Sequence, residues 1–228
     1  MKIDPRRTFR MVIEGSPNRD AIAIARCAAS RAGTRPNPLL IRGNTGVGKS
    51  LLLHAAANEL ARRNLALASL TAEELANAYV EAIRGRMREF RDRIARCDAL
   101  VVDELEDLET WPHTFAELQR AIQQFVDHDK PVLLATGPAW NEALEWLMRE
   151  LPRGRIAVLQ PPTQKQRMAA LQRACGVRRK RLSRAALLRI ARRTRTIADA
   201  RAELERALIE RAVGSASARV GTRLPRAC

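Results

Sequence analysis

A glycine-rich loop that ends in a lysine and a hydroxyl residue is the segment of this chain best suited to chemistry. It comprises Gly43, Asn44, Thr45, Gly46, Val47, Gly48, Lys49 and Ser50, followed by Leu51, and fits G-x-x-x-x-G-K-S/T in full. The glycines let backbone N–H groups face phosphates, Lys49 can reach the β and γ oxygens, and Ser50 can ligate Mg²⁺. A generic glycine-rich turn would not explain why an apolar, buried-type strand is followed by a loop that ends in a Lys-Ser pair. We therefore predict that the whole loop, with Leu51, binds ATP or ADP with Mg²⁺.

Two adjacent carboxylates follow a second apolar strand about 50 residues further on. Asp103 is predicted to hold Mg²⁺ through water, and Glu104 to orient or deprotonate an attacking water molecule. Thr136, at the end of a later apolar strand, is a third catalytic candidate, because its hydroxyl could position the same water. The alternative is an ordinary strand followed by an acidic turn, with Thr136 as a turn residue.

The elements that must position these groups alternate between apolar runs and helical stretches, which predicts an α/β fold with a mostly parallel sheet. Strands are expected at 38–41, 65–70, 99–103, 131–136 and 155–159, and helices at 49–63, 71–84, 86–96, 114–127 and 140–149. After Pro161-Pro162 only helices are expected, at 163–174, 183–193 and 197–212. We predict a nucleotide-binding α/β domain over 1–160, a small helical domain over 161–213 and a basic, flexible tail over 214–228.

Composition limits the class of protein. The chain has 228 residues, of which 46% are hydrophobic and 29% charged, so a packed core is expected rather than disorder. No run of about 18 apolar residues occurs and the first residues lack a signal-peptide pattern. We expect a soluble, cytoplasmic protein that does not contact a membrane. The four cysteines are far apart, so neither a disulfide framework nor a cysteine metal site is expected.

The charge is unevenly distributed. The net charge is +16, and the segment Gly176–Cys228 alone holds 15 basic and 4 acidic residues, which predicts affinity for polyanions. Arginine and alanine enrichment from a GC-rich genome is an alternative source of this charge. A second basic segment has six arginines in 13 residues, from Arg84 to Arg96. It is either a solvated helix face with pairs such as Arg88–Asp92 and Glu89–Arg93, or a surface that follows phosphates.

Several local segments together resemble AAA+ ATPases, and among them the ATPase core of the bacterial replication initiator DnaA family. The resemblance covers about residues 8–212. It rests on Thr8-Phe9, Val12-Ile13-Glu14-Gly15, Asn18, Asn37-Pro38-Leu39-Leu40-Ile41, Leu52-Leu53-His54-Ala55, Cys97-Asp98-Ala99-Leu100 and Pro161-Pro162. It implies a P-loop NTPase fold with a five-stranded parallel sheet and a small helical lid.

The resemblance also implies further binding residues. The amino-terminal segment would line the adenine pocket through Phe9, Val12, Ile13 and Asn18. The helices at 71–84 and 86–96 are similar to the initiator-specific insertion, which implies single-stranded DNA contacts from Arg84, Arg86, Arg88 and Arg91.

Departures from the family pattern concern two arginines. Counting back from Pro161-Pro162 places Glu150 where the family has its trans-acting finger, so Arg149 and Arg153 are the finger candidates. Ala202 occupies the sensor position, with Arg201 next to it as the remaining candidate for nucleotide contact. We therefore expect ATP binding with slow hydrolysis. The chain ends where a helix-turn-helix domain would begin in the family, and we expect no duplex recognition of that kind.

The function that the resemblance implies is ATP-dependent replication initiation, its regulation or helicase loading. The partners would be single-stranded DNA, initiator or helicase proteins, and further copies of the chain assembled with nucleotide. A transposition helper ATPase and a regulator acting on DnaA as Hda does are alternatives. A nucleotide-switched adaptor that does not hydrolyse ATP is an alternative from a different class, and turnover with and without DNA separates it from the others.

Overall fold

The structure is a computed structural model that describes residues 1–13, 15–30, 35–138, 145, 148–178 and 182–220. The chain divides into two compact units, Met1–Gln160 and Pro161–Cys228. Within the described part, no helix has the length and apolar character needed to cross a membrane.

The first unit is built on a five-stranded sheet in which every pairing is parallel. Its strands are β1 (Leu39–Gly43), β2 (Leu67–Thr71), β3 (Ala99–Asp103), β4 (Val132–Thr136) and β5 (Arg155–Leu159), in the order β2-β3-β4-β1-β5. Every residue of β3 and β4 is buried, because helices cover both faces of the sheet. This burial explains why the strands are continuous apolar runs, and it confirms the α/β class and the parallel five-stranded sheet.

Helices pack on both faces of the sheet. They are α1 (Arg19–Ala28), α2 (Lys49–Ala61), α3 (Ala72–Ile83), α4 (Met87–Ala95) and α5 (Pro112–Asp127). Leu39 and Ile41 of β1 pack with Leu53 of α2 in one core cluster, whereas Leu40 packs with Phe125 of α5 in the other. Alternate residues of β1 therefore point into two separate cores. Short 3₁₀ helices occupy Phe9–Met11, Ser16–Asn18 and Leu105–Thr110.

A capping box begins α3, the helix that the sequence predicts at 71–84. The Thr71 side chain accepts a hydrogen bond from the Glu74 amide at 3.1 Å, and the Glu74 carboxylate accepts one from the Thr71 amide at 3.0 Å. Gly85 follows α3 with φ +109, a left-handed conformation that glycine adopts without strain. The capping box thus begins α3 directly after β2, and the turn at Gly85 separates α3 from α4.

Asn37 joins the beginnings of three strands. Its side chain is fully buried, donates to the Lys130 carbonyl at 2.9 Å and accepts from the Val132 amide at 2.9 Å. Its backbone amide donates to the Arg153 carbonyl at 2.9 Å. Because these bonds align β1, β4 and β5 at their amino ends, they also fix where the strands end at the opposite edge.

The second unit is helical, with α6 (Gln164–Arg178), α7 (Arg184–Arg193) and α8 (Ile197–Val220) around a core that includes Leu171, Leu187 and Leu204. The Ser183 hydroxyl accepts from the Ala186 amide at 3.2 Å and begins α7.

Two expected boundaries in this unit are wrong. Helix α6 continues four residues past Ala174, and α8 continues to Val220, through much of the segment expected to be a flexible tail. The reason is compositional, since 212–220 has no proline and a single Gly214, which costs a helix only about 1 kcal/mol. Residues 221–228, and most of the helix expected at 140–149, lie outside the described residues.

Candidate functional site

The glycine-rich loop turns sharply between β1 and α2. Gly46 has φ +79 and Gly48 has φ +109, and the Val47 amide donates to the Asn44 carbonyl at 3.4 Å. Gly43 is required for a different reason, because an added Cβ would lie 2.7 Å from the Leu159 carbonyl oxygen. The loop is therefore held against the end of β5, and α2 begins directly after it at Lys49.

Lys49 is buried, with 9% of its surface exposed. The described part of the chain offers its ammonium group one hydrogen-bond acceptor, the Asn44 carbonyl oxygen at 3.4 Å. A buried charge is costly unless it is paired, so this group requires an anion beside it. A phosphate fits, since Ser50 and the first backbone amides of α2 lie at the amino end of that helix, where anions are favoured.

The sheet brings the two strands that carry the catalytic candidates next to the loop. Asp103 is buried at the end of β3, where its Oδ1 accepts from the Glu104 amide at 2.9 Å. Thr136 is buried at the end of β4 and lies in register with Arg42 of β1. Because β4 lies between β1 and β3, Thr136 stands between Asp103 and the loop at the carboxyl edge of the sheet.

Glu104 leaves the strand in a left-handed conformation, with φ +61 and ψ +41, and its side chain is exposed. Its pKa is raised, first because neighbouring atoms partly desolvate the carboxyl group and then by the charges of Asp103, Asp107, Glu106 and Glu73. A raised pKa makes a carboxylate a better proton acceptor once it is ionised. The position and chemistry of Glu104 suit the role of general base.

Glu106, in the acidic turn after β3, is bonded to the residue that follows β4. Its carboxylate accepts a hydrogen bond from the Gly137 amide at 2.7 Å. A Cβ on Gly137 would lie 2.8 Å from Glu106 Oε1, so a larger residue here would displace the end of the Glu106 side chain. The acidic run gave no signal that one of its members bonds to the residue after β4.

The donor set suits Mg²⁺ bound together with phosphates. Among the described residues, no group of three or more His, Cys, Asp or Glu side chains is arranged to hold a metal ion. Mg²⁺ is commonly held by one or two protein oxygens together with substrate phosphates and water. Ser50 and Asp103 are the two protein groups that would serve.

The amino-terminal segment packs on the α1–α2 side of the sheet. Phe9 and Val12 join that core cluster, Ile13 is half-buried, and the Arg26 guanidinium lies 4.9 Å from the Phe9 ring centre. Phe9 also lines a cavity of about 590 Å³, whose other lining residues are Thr8, Arg10, Arg26, Ser30, Ala55, Asn58, Glu59 and Arg62. None of the loop residues 43–51 lines this cavity, so an adenine contact by Phe9 stays a prediction.

Asn18 has a clear structural partner. It is buried, its Nδ2 donates to the Gln160 carbonyl at 3.1 Å, and its Oδ1 accepts from the Gln160 amide at 2.8 Å. These bonds tie the start of α1 to the end of β5. The predicted contact of Asn18 with nucleotide stays a prediction.

The arginines between Arg84 and Arg96 fall into two groups. Arg91 is bound to the Glu117 carboxylate through Nε at 3.0 Å and through Nη2, so it joins α4 to α5. The others are exposed, and among the described residues none has a carboxylate partner: Arg84, Arg86, Arg88, Arg93 and Arg96. The pairs Arg88–Asp92 and Glu89–Arg93 do not form, so the surface carries unneutralised cations.

The finger candidates are both engaged within the chain. Arg149 pairs with Glu145 at 2.6 Å, and Arg153 pairs with Asp129 at 2.6 Å. Arg201 is exposed on α8 in the helical unit. These positions do not indicate that Arg149 or Arg153 acts on a neighbouring subunit, or that Arg201 contacts nucleotide, and both roles stay predictions.

The class of protein follows from the sheet and its carboxyl edge. A parallel sheet of order β2-β3-β4-β1-β5, with a glycine-rich P-loop after β1 and two adjacent carboxylates at the end of β3, is the AAA+ P-loop NTPase fold. The family model described as the bacterial DnaA ATPase domain matches residues 3–151. The chain belongs to that family.

Curated relatives and solved structures agree with this assignment. The chain is 34% identical over 221 residues to the chromosomal replication initiator protein DnaA of Thermus thermophilus, covering 91% of this chain and 49% of that protein. It is 34% identical over 185 residues to DnaA of Cutibacterium acnes, covering 75% of this chain and 36% of that protein. The chain thus spans half or less of the length of these relatives.

Two solved structures share the fold at 22% identity. Domain III of Thermotoga maritima DnaA has a TM-score of 0.79 and covers 99% of this chain and 94% of its own. A replication initiator DnaA bound to AMPPCP and single-stranded DNA has a TM-score of 0.78 and covers 89% of this chain and 65% of its own.

Proposed function

We propose that this chain binds and hydrolyses ATP and acts as a DnaA-like protein in DNA replication initiation, with single-stranded DNA as a partner. One observation carries the nucleotide part of this proposal. A buried lysine with a single, distant acceptor stands at the same sheet edge as a buried aspartate, which is the charge arrangement that a magnesium-bound triphosphate neutralises.

The residues divide the work of hydrolysis between binding and proton transfer. Lys49, Ser50 and the loop amides hold the β- and γ-phosphates. Mg²⁺, when bound through Ser50 and Asp103, offsets negative charge on the phosphate oxygens. Glu104 accepts a proton from the attacking water, and the Thr136 hydroxyl orients that water at the adjacent strand end.

The α3–α4 pair is the proposed surface for single-stranded DNA. Arg84, Arg86 and Arg88 are exposed there without carboxylate partners in the described chain, and the large apolar side chains of Val80 and Ile83 are more than half exposed beside them, at 55% and 57%. Cations beside apolar groups suit a strand whose phosphates and bases are both accessible. A related DnaA is bound to single-stranded DNA, which supports the proposal. Arg91 would hold α4 in place rather than contact the strand.

The partners and the rate of turnover depend on assembly. Because Glu150 and Ala202 occupy the finger and sensor positions of the family pattern, we propose slow intrinsic hydrolysis and dependence on initiator or helicase proteins for activation. The same departures favour a second candidate, a nucleotide-switched adaptor that binds ATP without turnover.

Phosphate release measured with and without single-stranded DNA, beside calorimetric ATP binding, tests both candidates. Turnover above background that disappears in Glu104→Gln supports the ATPase. Tight ATP binding with no turnover under either condition supports the adaptor. No ATP binding by the wild type would overturn both.

A further inference from the structure

Nearly all of the net charge lies in the helical unit. Residues 161–228 contain 18 Lys and Arg against 4 Asp and Glu, a net of +14, whereas residues 1–160 carry a net of +2. A small unit of this charge repels itself unless its cations meet polyanions. The basic character of the chain is therefore a property of one unit rather than of the whole surface.

Helix α7 concentrates three of these cations on one face. Leu187, Ile190 and Ala191 are buried in the core of the unit. Arg189, Arg192 and Arg193 are exposed, and at 100° per residue they point away from those buried positions. Two further exposed arginines, Arg184 and Arg195, extend the same charge at either end of the helix. We call Arg189, Arg192 and Arg193 the α7 arginine face.

The three guanidinium groups of the α7 arginine face have no carboxylate partner among the residues that the structure describes. Elsewhere in the unit such pairs do form, as between Arg206 and Glu203 at 3.5 Å. Cations in the last turn of a helix are stabilised by the helix dipole, which would account for Arg192 and Arg193. That effect does not explain Arg189, and the end of α7 is already held by Arg167, whose Nε donates to the Ala191 carbonyl at 3.0 Å.

The chemistry of the unit selects the occupant. Residues 161–228 contain no Phe, Trp, Tyr or His, so the unit offers no aromatic platform on which exposed bases could stack. It also offers no aromatic residue for insertion into a lipid surface, and the exposed residues of α7 are Ala185 and four arginines, with the apolar Leu188 half-buried. Sixteen of its 18 cations are arginine, which binds phosphate oxygens in a bidentate manner.

We propose that the α7 arginine face binds the phosphate backbone of duplex DNA without reading its sequence. This surface is separate from the α3–α4 surface proposed for single strands, which lies in the other unit. Arg189 and Arg193 are one helical turn apart, about 6 Å along the axis, so neighbouring phosphates can be contacted together. The helical unit would hold duplex DNA while the α/β unit handles nucleotide and single strands.

Salt-dependent binding by the full chain tests the proposal. Fluorescence anisotropy with a labelled duplex of about 30 bp of mixed sequence compares the wild type with Arg189→Ala/Arg192→Ala/Arg193→Ala. The slope of log K against log salt is negative, and each lost phosphate contact reduces its magnitude by about 0.9. We therefore expect the magnitude of the slope to be smaller by about 2.7 in the variant. Between about 50 and 200 mM salt, the affinity of the variant should then fall about 40-fold less than that of the wild type.

A matched control removes the same charge from elsewhere. Arg6→Ala/Arg62→Ala/Arg206→Ala deletes three arginines that each pair with a nearby carboxylate, Asp4, Glu59 and Glu203. We expect the duplex affinity and slope of this control to stay near those of the wild type. Unchanged thermal unfolding midpoints show that both variants keep the fold, because alanine is a good helix former.

Other outcomes overturn the proposal. Equal losses of duplex affinity in the test and control variants would show that only net charge matters. An unchanged slope in the test variant would show that the α7 arginine face does not bind the duplex. Loss of binding to oligo-dT but not to the duplex would make it a single-strand site. Loss of binding to vesicles containing phosphatidylglycerol, with duplex binding intact, would make it a membrane site. ATP binding, measured in parallel, reports separately on the proposed nucleotide function.

Discussion

The carboxylate of Glu106 accepts a hydrogen bond from the backbone amide of Gly137 at 2.7 Å and so joins the turn after β3 to the residue after β4. Thr136 directly precedes Gly137, and Glu104 lies two residues before Glu106. The bond therefore links the segment that carries the proposed base to the segment that carries the hydroxyl proposed to orient its water.

Replacing Glu106 with alanine should slow hydrolysis without weakening ATP binding, because displacing a catalytic group by about 1 Å can cost up to about 100-fold in rate. Glu106→Gln should restore most of the rate, since its amide oxygen still accepts from Gly137. Asp107→Ala is the control, as it removes an acidic charge from the same turn. Steady-state kcat and KM, with hydrogen exchange at the Gly137 amide, provide the measurement. If Gln were as slow as Ala, charge rather than the hydrogen bond would be responsible.

Lys49→Ala should strongly weaken ATP binding while leaving the fold intact. The side chain has one acceptor at 3.4 Å in the described protein, so its removal breaks little internal structure. Loss of a charge-assisted contact with two phosphates should weaken binding about 100-fold. Calorimetric titration with ATP and a thermal unfolding curve measure the two effects. Lys165→Ala removes an exposed lysine as the control, and an unaltered ATP affinity in Lys49→Ala would refute the phosphate-binding role.

Glu104→Gln should bind ATP as tightly as the wild type and lose about 100-fold or more of its hydrolysis rate, because an amide cannot accept the proton of the attacking water. The substitution keeps the size of the side chain and the left-handed backbone at this position. Single-turnover phosphate release at saturating ATP gives the rate. Equal rates in the two proteins, both above background, would show that another group is the base.

Local motifs account for what the sequence predicts well. The loop 43–50 and the strand ending at Asp103 are recognisable because each carries its chemistry and its flanking pattern within about ten residues. The Thr71–Glu74 capping box is equally local, and the strands at 99–103 and 155–159 have the predicted bounds. In each case the pattern that predicts the element lies within neighbouring residues.

Contacts between distant segments account for what the sequence missed. Helix α1 was not predicted, since its buried face is mostly alanine and becomes meaningful only against α2 and β5. Glu106 looked like one acid among several until the fold placed Gly137 beside it. Arg91 looked like its neighbours, although only Arg91 reaches Glu117, 26 positions away. The residue type alone does not reveal which partner a side chain such as Glu106 or Arg91 contacts, because packing of distant segments decides it.

The exposed arginines of the α3–α4 surface should govern binding to single strands. Arg84→Ala/Arg86→Ala/Arg88→Ala should lower the salt slope for oligo-dT by about 2, at about 0.7 for each phosphate contact. The Arg6/Arg62/Arg206 triple variant again serves as the control of equal charge. Anisotropy over a salt series measures the slopes. A slope unchanged by the first variant would move single-strand binding to another surface.

The Arg91–Glu117 pair should make stability depend on acid pH. Hydrogen bonding to Arg91 is the largest cause of a lowered pKa at Glu117, with Arg120 adding to it against the effect of burial. A carboxyl group whose pKa is lower in the folded state stabilises the fold above its unfolded pKa of about 4.3, and this contribution is lost as pH falls through the folded pKa. The difference in unfolding free energy between the wild type and Glu117→Gln should therefore be full at pH of about 7 and shrink below pH of about 4. Urea unfolding at several pH values measures it, with Glu81→Gln as an exposed control. A difference that stayed constant with pH would mean that Glu117 acts by shape alone, without the charge that Arg91 holds in place.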